Sequence, residues 1–106
     1  MLISHKAIAE IIGTFTMISV GGGSILLCEK FPQIFHPFII PITWGLIIAV
    51  MIFAMGHISG AHFNPAVTLA FAVTKRIPST QVPLYWMSQC VGGLGAALLL
   101  IMLRRL

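Results

Sequence analysis

The chain has 106 residues, of which 58% are hydrophobic and only 8% charged. Soluble domains carry about 25% charged residues, so the composition excludes a water-soluble globule and fits an integral membrane protein the size of one small domain. The net charge of +4 comes from basic residues set beside apolar runs rather than gathered in a patch, which leaves nucleic-acid binding without support.

Residues 7–28 form the first spanning candidate, broken only by Glu10 and small polar residues. Gly13 and the run Gly21-Gly22-Gly23 favour close approach of other helices, and three consecutive glycines are expected to loosen the far end. An ionisable group inside a span is costly, and it usually faces a bundle interior or a cavity. Glu10 is therefore a candidate acceptor for buried N–H groups, with an interfacial, snorkelling carboxylate and a proton relay as the other readings. Cys28 closes this run, and Cys90 lies in a later one. Neither has metal-like or framework spacing, so both read as small buried hydrophobes.

A loop carrying Glu29, Lys30, Pro32 and Pro37 leads to the second span, residues 38–58, with Pro41 in its first turn and then Trp44. Periodicity alone reads Trp44 equally well as an interfacial belt residue. Residues 59–74 follow as a re-entrant segment. Asn64 is a favoured N-cap, Pro65 suits the first helical position, and Ala66 to Thr74 is apolar and helix-compatible. About ten residues rise roughly 15 Å, half of a hydrocarbon core of about 30 Å. Such backbone is tolerated at depth only where protein or a wet cavity surrounds it.

Residues 81–103 form the third span, with Tyr85 and Trp86 at interface depth and a small-residue stripe at Ser88, Gly92 and Ala96. The expected fold class is an all-α membrane protein with three transmembrane helices plus one re-entrant half-helix, residues 1–106 forming a single unit. Lys6 and Lys75-Arg76 then share one face and Lys30 with Arg104-Arg105 the other, so three charges balance three and orientation is weakly specified.

The run Ser59-Gly60-Ala61-His62-Phe63-Asn64-Pro65-Ala66-Val67-Thr68 closely resembles the first signature of the aquaporin and glycerol-facilitator family, the major intrinsic proteins. Ala9-Glu10 with Gly13-Thr14-Phe15 resembles the family's first helix, Trp44-Gly45-Leu46 with Gly56-His57-Ile58 its second, and Tyr85 with Gln89 and Gly92-Gly93 its third. Within the family the chain is most similar to nodulin-type plant intrinsic proteins and bacterial glycerol facilitators. Members carry two such halves in inverted orientation; this sequence corresponds to the N-terminal half, without the second Asn-Pro-Ala or the filter arginine. A complete pore then needs a second aquaporin-like half, in the same chain, in a partner chain or in a second copy.

The resemblance implies passive passage of water and small uncharged solutes such as glycerol across a lipid bilayer, in a plasma or cytoplasmic (inner) membrane, with a homotetramer as the family's habit. It implies that Asn64 donates to a passing solute oxygen, that Pro65 and Ala66 start the half-helix beside the path, and that Gly60, Ala61 and His62 turn carbonyls into it. Trp44 takes the place of a constriction residue of the glycerol type. Glu10 and His57 support the loop. The other readings are a non-conducting membrane subunit that only packs against partners and a proton-coupled carrier using Glu10. His57 and His62 have no carboxylate or thiolate nearby, so no metal is expected. No nucleophile–base pair, phosphate loop or paired carboxylates occur, so neither an enzyme nor a cofactor is expected.

Overall fold

Twenty-eight residues without a proline wind into the first helix, α1 (Ile3–Lys30), in the computed structural model, which describes residues 2–106. At 1.5 Å per residue it is about 42 Å long, enough to cross the hydrocarbon and enter the headgroups. α2 (Ile39–Ser59) and α4 (Val82–Arg104) are also long and apolar enough to cross, the latter after one 3-10 turn at Ser79–Gln81. Between them lies the short α3 (Pro65–Val73). Among the described residues all regular structure is helical. The fold class is thus three spanning helices and a half-helix.

Glycine sets the packing. α1 stands between α2 and α4, and a Cβ at Gly92 of α4 would lie 2.5 Å from the Ile11 carbonyl oxygen and 3.0 Å from the Phe15 nitrogen of α1. The two backbones touch there because nothing larger than hydrogen stands between them. The glycine run of α1, expected to loosen the helix, stays helical. The indole of Trp44 lies over Gly21, and Leu100 of α4 fills the space beside Gly22. Side chains from both neighbours thus replace the missing ones, and lipid makes a broken backbone hydrogen bond expensive.

Polarity is inverted relative to a soluble protein. Phe53 is 87% exposed and Val73 72%, whereas Glu10 and Thr68 are fully enclosed, with Ser59, His62, Ser88 and Gln89 close behind. Apolar side chains outside and polar ones inside suit a bilayer solvent. The molecule measures 48 × 24 × 21 Å, and its long axis is comparable to a bilayer with headgroups, about 40–45 Å.

The half-helix has firm ends. Asn64 Oδ1 accepts from the Ala66 N–H at 2.8 Å, and Pro65 sits at the first helical position. At the other end Lys75 adopts φ +61°. Its N–H bonds to the Ala72 carbonyl, and the Arg76 N–H bonds to the Phe71 carbonyl. This is a Schellman closure with lysine where glycine is usual. Nine residues give α3 a length of about 13 Å, too short to cross.

Candidate functional site

α2 ends when Gly60 turns left-handed at φ +87° and caps the helix, its N–H meeting the Gly56 carbonyl at 2.9 Å. The chain then passes through Ala61 and Phe63, each at φ +55°, before reaching Asn64. Left-handed conformation is unfavourable for side-chain-bearing residues, so the surroundings must impose it.

Glu10 imposes it. Its Oε1 accepts from the Phe63 N–H at 2.9 Å and from Gln89 Nε2 at 2.8 Å. Its Oε2 accepts from Ser59 Oγ at 2.6 Å and from the His62 N–H at 3.1 Å. Four donors thus fill the acceptor directions of one buried carboxylate. Hydrogen bonds to a charged group contribute about 1.5–3 kcal/mol each, which offsets the cost of burying it. Two consecutive N–H groups, of His62 and Phe63, turn to the same side to reach Glu10, and the left-handed residues Ala61 and Phe63 flank His62 where the chain bends to allow it.

Two further donors are satisfied beside the carboxylate. The Ala61 N–H bonds to Ser59 Oγ at 3.1 Å, and Tyr85 Oη donates to the Ser59 carbonyl at 2.6 Å. The His62 ring stacks between Phe71 and Tyr85, each centroid 4.5 Å away, with its Nδ1 2.9 Å from Thr68 Oγ1. The Phe63 ring fills the notch at Gly13, where any Cβ would collide with it.

By contrast, the carbonyls of Gly60, Ala61 and His62 meet no protein donor among the described residues. These residues border a groove of about 500 Å³ together with Asn64, Trp44 and Met17. Met17 stands at the middle of α1, so Asn64 lies near half-depth. With Oδ1 engaged by Ala66, the Asn64 amide nitrogen is the end left to donate. One wall therefore offers acceptors, one neutral donor and an indole edge.

The structure brings Gly60, Ala61, His62, Asn64 and Trp44 to one groove but treats other residues differently. Pro65 and Ala66 are exposed on the first turn of α3 and are not part of the groove lining. The His62 imidazole is held between Phe71 and Tyr85 with its Nδ1 at Thr68 Oγ1, which leaves Nε2, beside Gly60, and the backbone carbonyl as the groups that can meet the groove. His57 does not support the loop: it is exposed on α2 and lines a separate groove with His5 and Met55. Ser59, two residues on, provides that support instead. Tyr85, expected at interface depth, is 1% exposed beneath the loop. Sequence reasoning gave no role in the loop to Ser59, Thr68 or Trp86. The spacing of Tyr85, Ser88, Gln89 and Gly92 marks one enclosed face of α4, a signal for Tyr85 and Gln89 that does not reach Ser59, Thr68 or Trp86.

Known proteins are similar to this chain in sequence. A protein described as "Probable aquaporin NIP-type" from Nicotiana alata is 45% identical over 97 residues, covering 92% of this chain and 36% of that protein. "Aquaporin NIP1-1" of Oryza sativa subsp. japonica is 51% identical over 94 residues, 88% of this chain and 33% of its own length. "Nodulin-26" of Glycine max is 43% identical over 93 residues, 88% and 34% respectively. The chain spans about a third of the length of these curated relatives. Residues 1–105 match the profile of the family described as Major intrinsic protein, and the chain belongs to that family.

Proposed function

We propose that the groove is one wall of a passive channel for water and small neutral solutes such as glycerol. The observation that carries this reading is the division of the loop's polar groups. The N–H groups of residues 60–63 are bonded inward, to Glu10, Ser59 and the end of α2, while three successive carbonyls and the Asn64 side-chain nitrogen have no protein partner among the described residues and belong to residues that line the groove. A solute hydroxyl can donate to one carbonyl while accepting from Asn64, then exchange partners as it moves. Asn64, Gly60, Ala61 and the His62 carbonyl are the pore-lining groups, Trp44 is the apolar side of the constriction, and Pro65 and Ala66 hold the half-helix start beside it. The positive end of α3 opposes cations and protons.

The opposite wall belongs to a second aquaporin-like half, and the working assembly is a homotetramer in a plasma or cytoplasmic (inner) membrane. The names of the plant relatives support the solute class, and the bilayer-facing exterior supports the location.

Stopped-flow light scattering on proteoliposomes tests the reading. Exchanging the matching N-terminal segment of the rice relative for this chain should preserve flux that follows only the osmotic or solute gradient. A chimera that inserts and folds yet passes no more solute than empty vesicles would overturn it. Flux driven by a pH gradient and lost in Glu10→Gln would replace it with the carrier reading. The chain alone, measured in parallel, shows whether it conducts without a second half.

A further inference from the structure

The first turn of α3 is tied to α4 at two points. Gln89 Nε2 donates to Thr68 Oγ1 at 2.9 Å, and Trp86 Nε1 donates to the Pro65 carbonyl at 3.1 Å. Residues three apart share a helix face, so the pair on α4 meets a matching pair on α3. A single tie fixes distance and leaves α3 free to roll; a second tie, one turn away, fixes the roll as well. On the loop side the His62 ring holds Thr68 and Phe71, but the first turn is otherwise open: Pro65, Ala66, Leu69 and Ala70 are exposed, and Trp86 makes the tie nearest to Asn64. A carbonyl oxygen has two lone pairs, so Pro65 can serve the helix ladder and the indole together.

We propose that Trp86 is a positioning residue for Asn64. Its indole N–H, acting with Gln89, sets the roll of the first turn of α3 and hence the direction in which the adjoining Asn64 amide enters the groove. The functional consequence rests on the reading of Asn64 as a donor to the passing solute. An exposed tryptophan on a spanning helix commonly serves as an interfacial anchor with its N–H turned to headgroups. Here the N–H is directed at the half-helix, at the residue following Asn64.

Asn64 is the only asparagine in the sequence, so isotope-labelled asparagine gives one side-chain amide signal in nuclear magnetic resonance spectra. Trp86→Phe keeps an aromatic ring and removes the donor. The expected result is loss of one of two indole signals and displacement of the Asn64 side-chain pair, with the α1 signals in place. Val91→Phe, on an exposed part of the same helix, should leave Asn64 unmoved. Asn64 signals unchanged in a folded Trp86→Phe protein overturn the proposal. In the unsubstituted protein, dipolar dephasing between labelled indole nitrogen and labelled proline carbonyl reads the Trp86–Pro65 contact directly in bilayers. Its absence overturns the proposal without any variant having to fold. In the chimera, solute flux should fall about fivefold, the factor set by one typical net hydrogen bond. Displaced Asn64 signals with unchanged flux uphold the positioning role and count instead against Asn64 lining the path.

Discussion

Two irregular connections separate the first three helices, and they satisfy their backbone in opposite ways. Residues 31–38 are mostly exposed and bonded locally. The Ile34 and Phe35 N–H groups both reach the Phe31 carbonyl at 3.0 Å, and the Phe38 N–H reaches His36 Nδ1 at 3.1 Å. Residues 60–64 bond instead to a carboxylate some fifty positions earlier in the chain. At the membrane surface water serves any backbone group left over. At half-depth lipid offers no partner, so the protein supplies acceptors for the inward-facing N–H groups, and for residues 62 and 63 it does so with a charged group that a lipid-facing helix could not otherwise hold. The second connection is therefore the one whose shape depends on the whole bundle.

The largest effect should follow from removing that shared acceptor. In Glu10→Gln an NH2 replaces one carboxylate oxygen and faces donors. Two buried donors then lose partners at about 1–3 kcal/mol each, for a destabilisation of about 2–6 kcal/mol. Unfolding in detergent micelles measures it, and hydrogen exchange at the His62 and Phe63 amides should accelerate with it. Unaltered stability and protection would mean that the loop holds its own shape and that the contrast between the two connections is superficial.

Glycine contacts sharpen the same contrast between enclosed and open positions. Gly92→Ala places a methyl against the α1 backbone, which cannot yield as a side-chain tip can, and should cost about 1–3 kcal/mol. Gly23→Ala meets nothing within 4 Å and should stabilise α1 by about 0.5–1 kcal/mol. Melting the two variants side by side checks this; equal shifts would remove the close approach of α1 and α4 as its cause.

A smaller change in stability separates capping from conduction at Asn64. Asn64→Ala loses the acceptor for the Ala66 N–H and should cost about 1 kcal/mol. Asn64→Asp keeps that acceptor beside a positive helix end and should melt near the unsubstituted protein. It also places a charge where the proposed path has a neutral donor, so chimera flux should fall in Asn64→Asp while the fold persists. Normal flux in that variant would place Asn64 outside the path.

Much of this architecture is legible in residue order. Long apolar runs announce α1, α2 and α4, and Asn-Pro ahead of a short apolar stretch announces α3, which runs Pro65–Val73 with Asn64 as its cap. What the order of residues does not show is direction. Tyr85 in an apolar run has the same signature at an interface as beneath a loop, and its partner, Ser59, stands 26 positions away. His57 and Ser59 are neighbours in sequence, yet the turn of α2 carries one ring to the exterior and the other hydroxyl to Glu10. Ala61 and Phe63 have no side-chain preference for positive φ. Their conformation is set by the carboxylate that binds the N–H groups of residues 62 and 63, a requirement that exists only once α1 packs beside the loop.

The smallest effect should come from the surface connection. Ile34 is 73% exposed, so Ile34→Ser removes little packing and should change stability by less than about 0.5 kcal/mol. Lengthening the segment is a stronger trial. Eight residues separate α1 from α2, and inserting Gly-Ser after Gln33 makes ten, which costs only about 0.2 kcal/mol of closure entropy. The same insertion after Gly60 separates the N–H groups of 62 and 63 from Glu10 and should cost as much as Glu10→Gln. Unfolding midpoints of the two insertions give the ratio directly. A large loss at Gln33 would show that residues 31–38 are held by their own Phe31–Phe35 edge contact and by the Cys28 thiol of α1 near the His36 carbonyl, rather than by water.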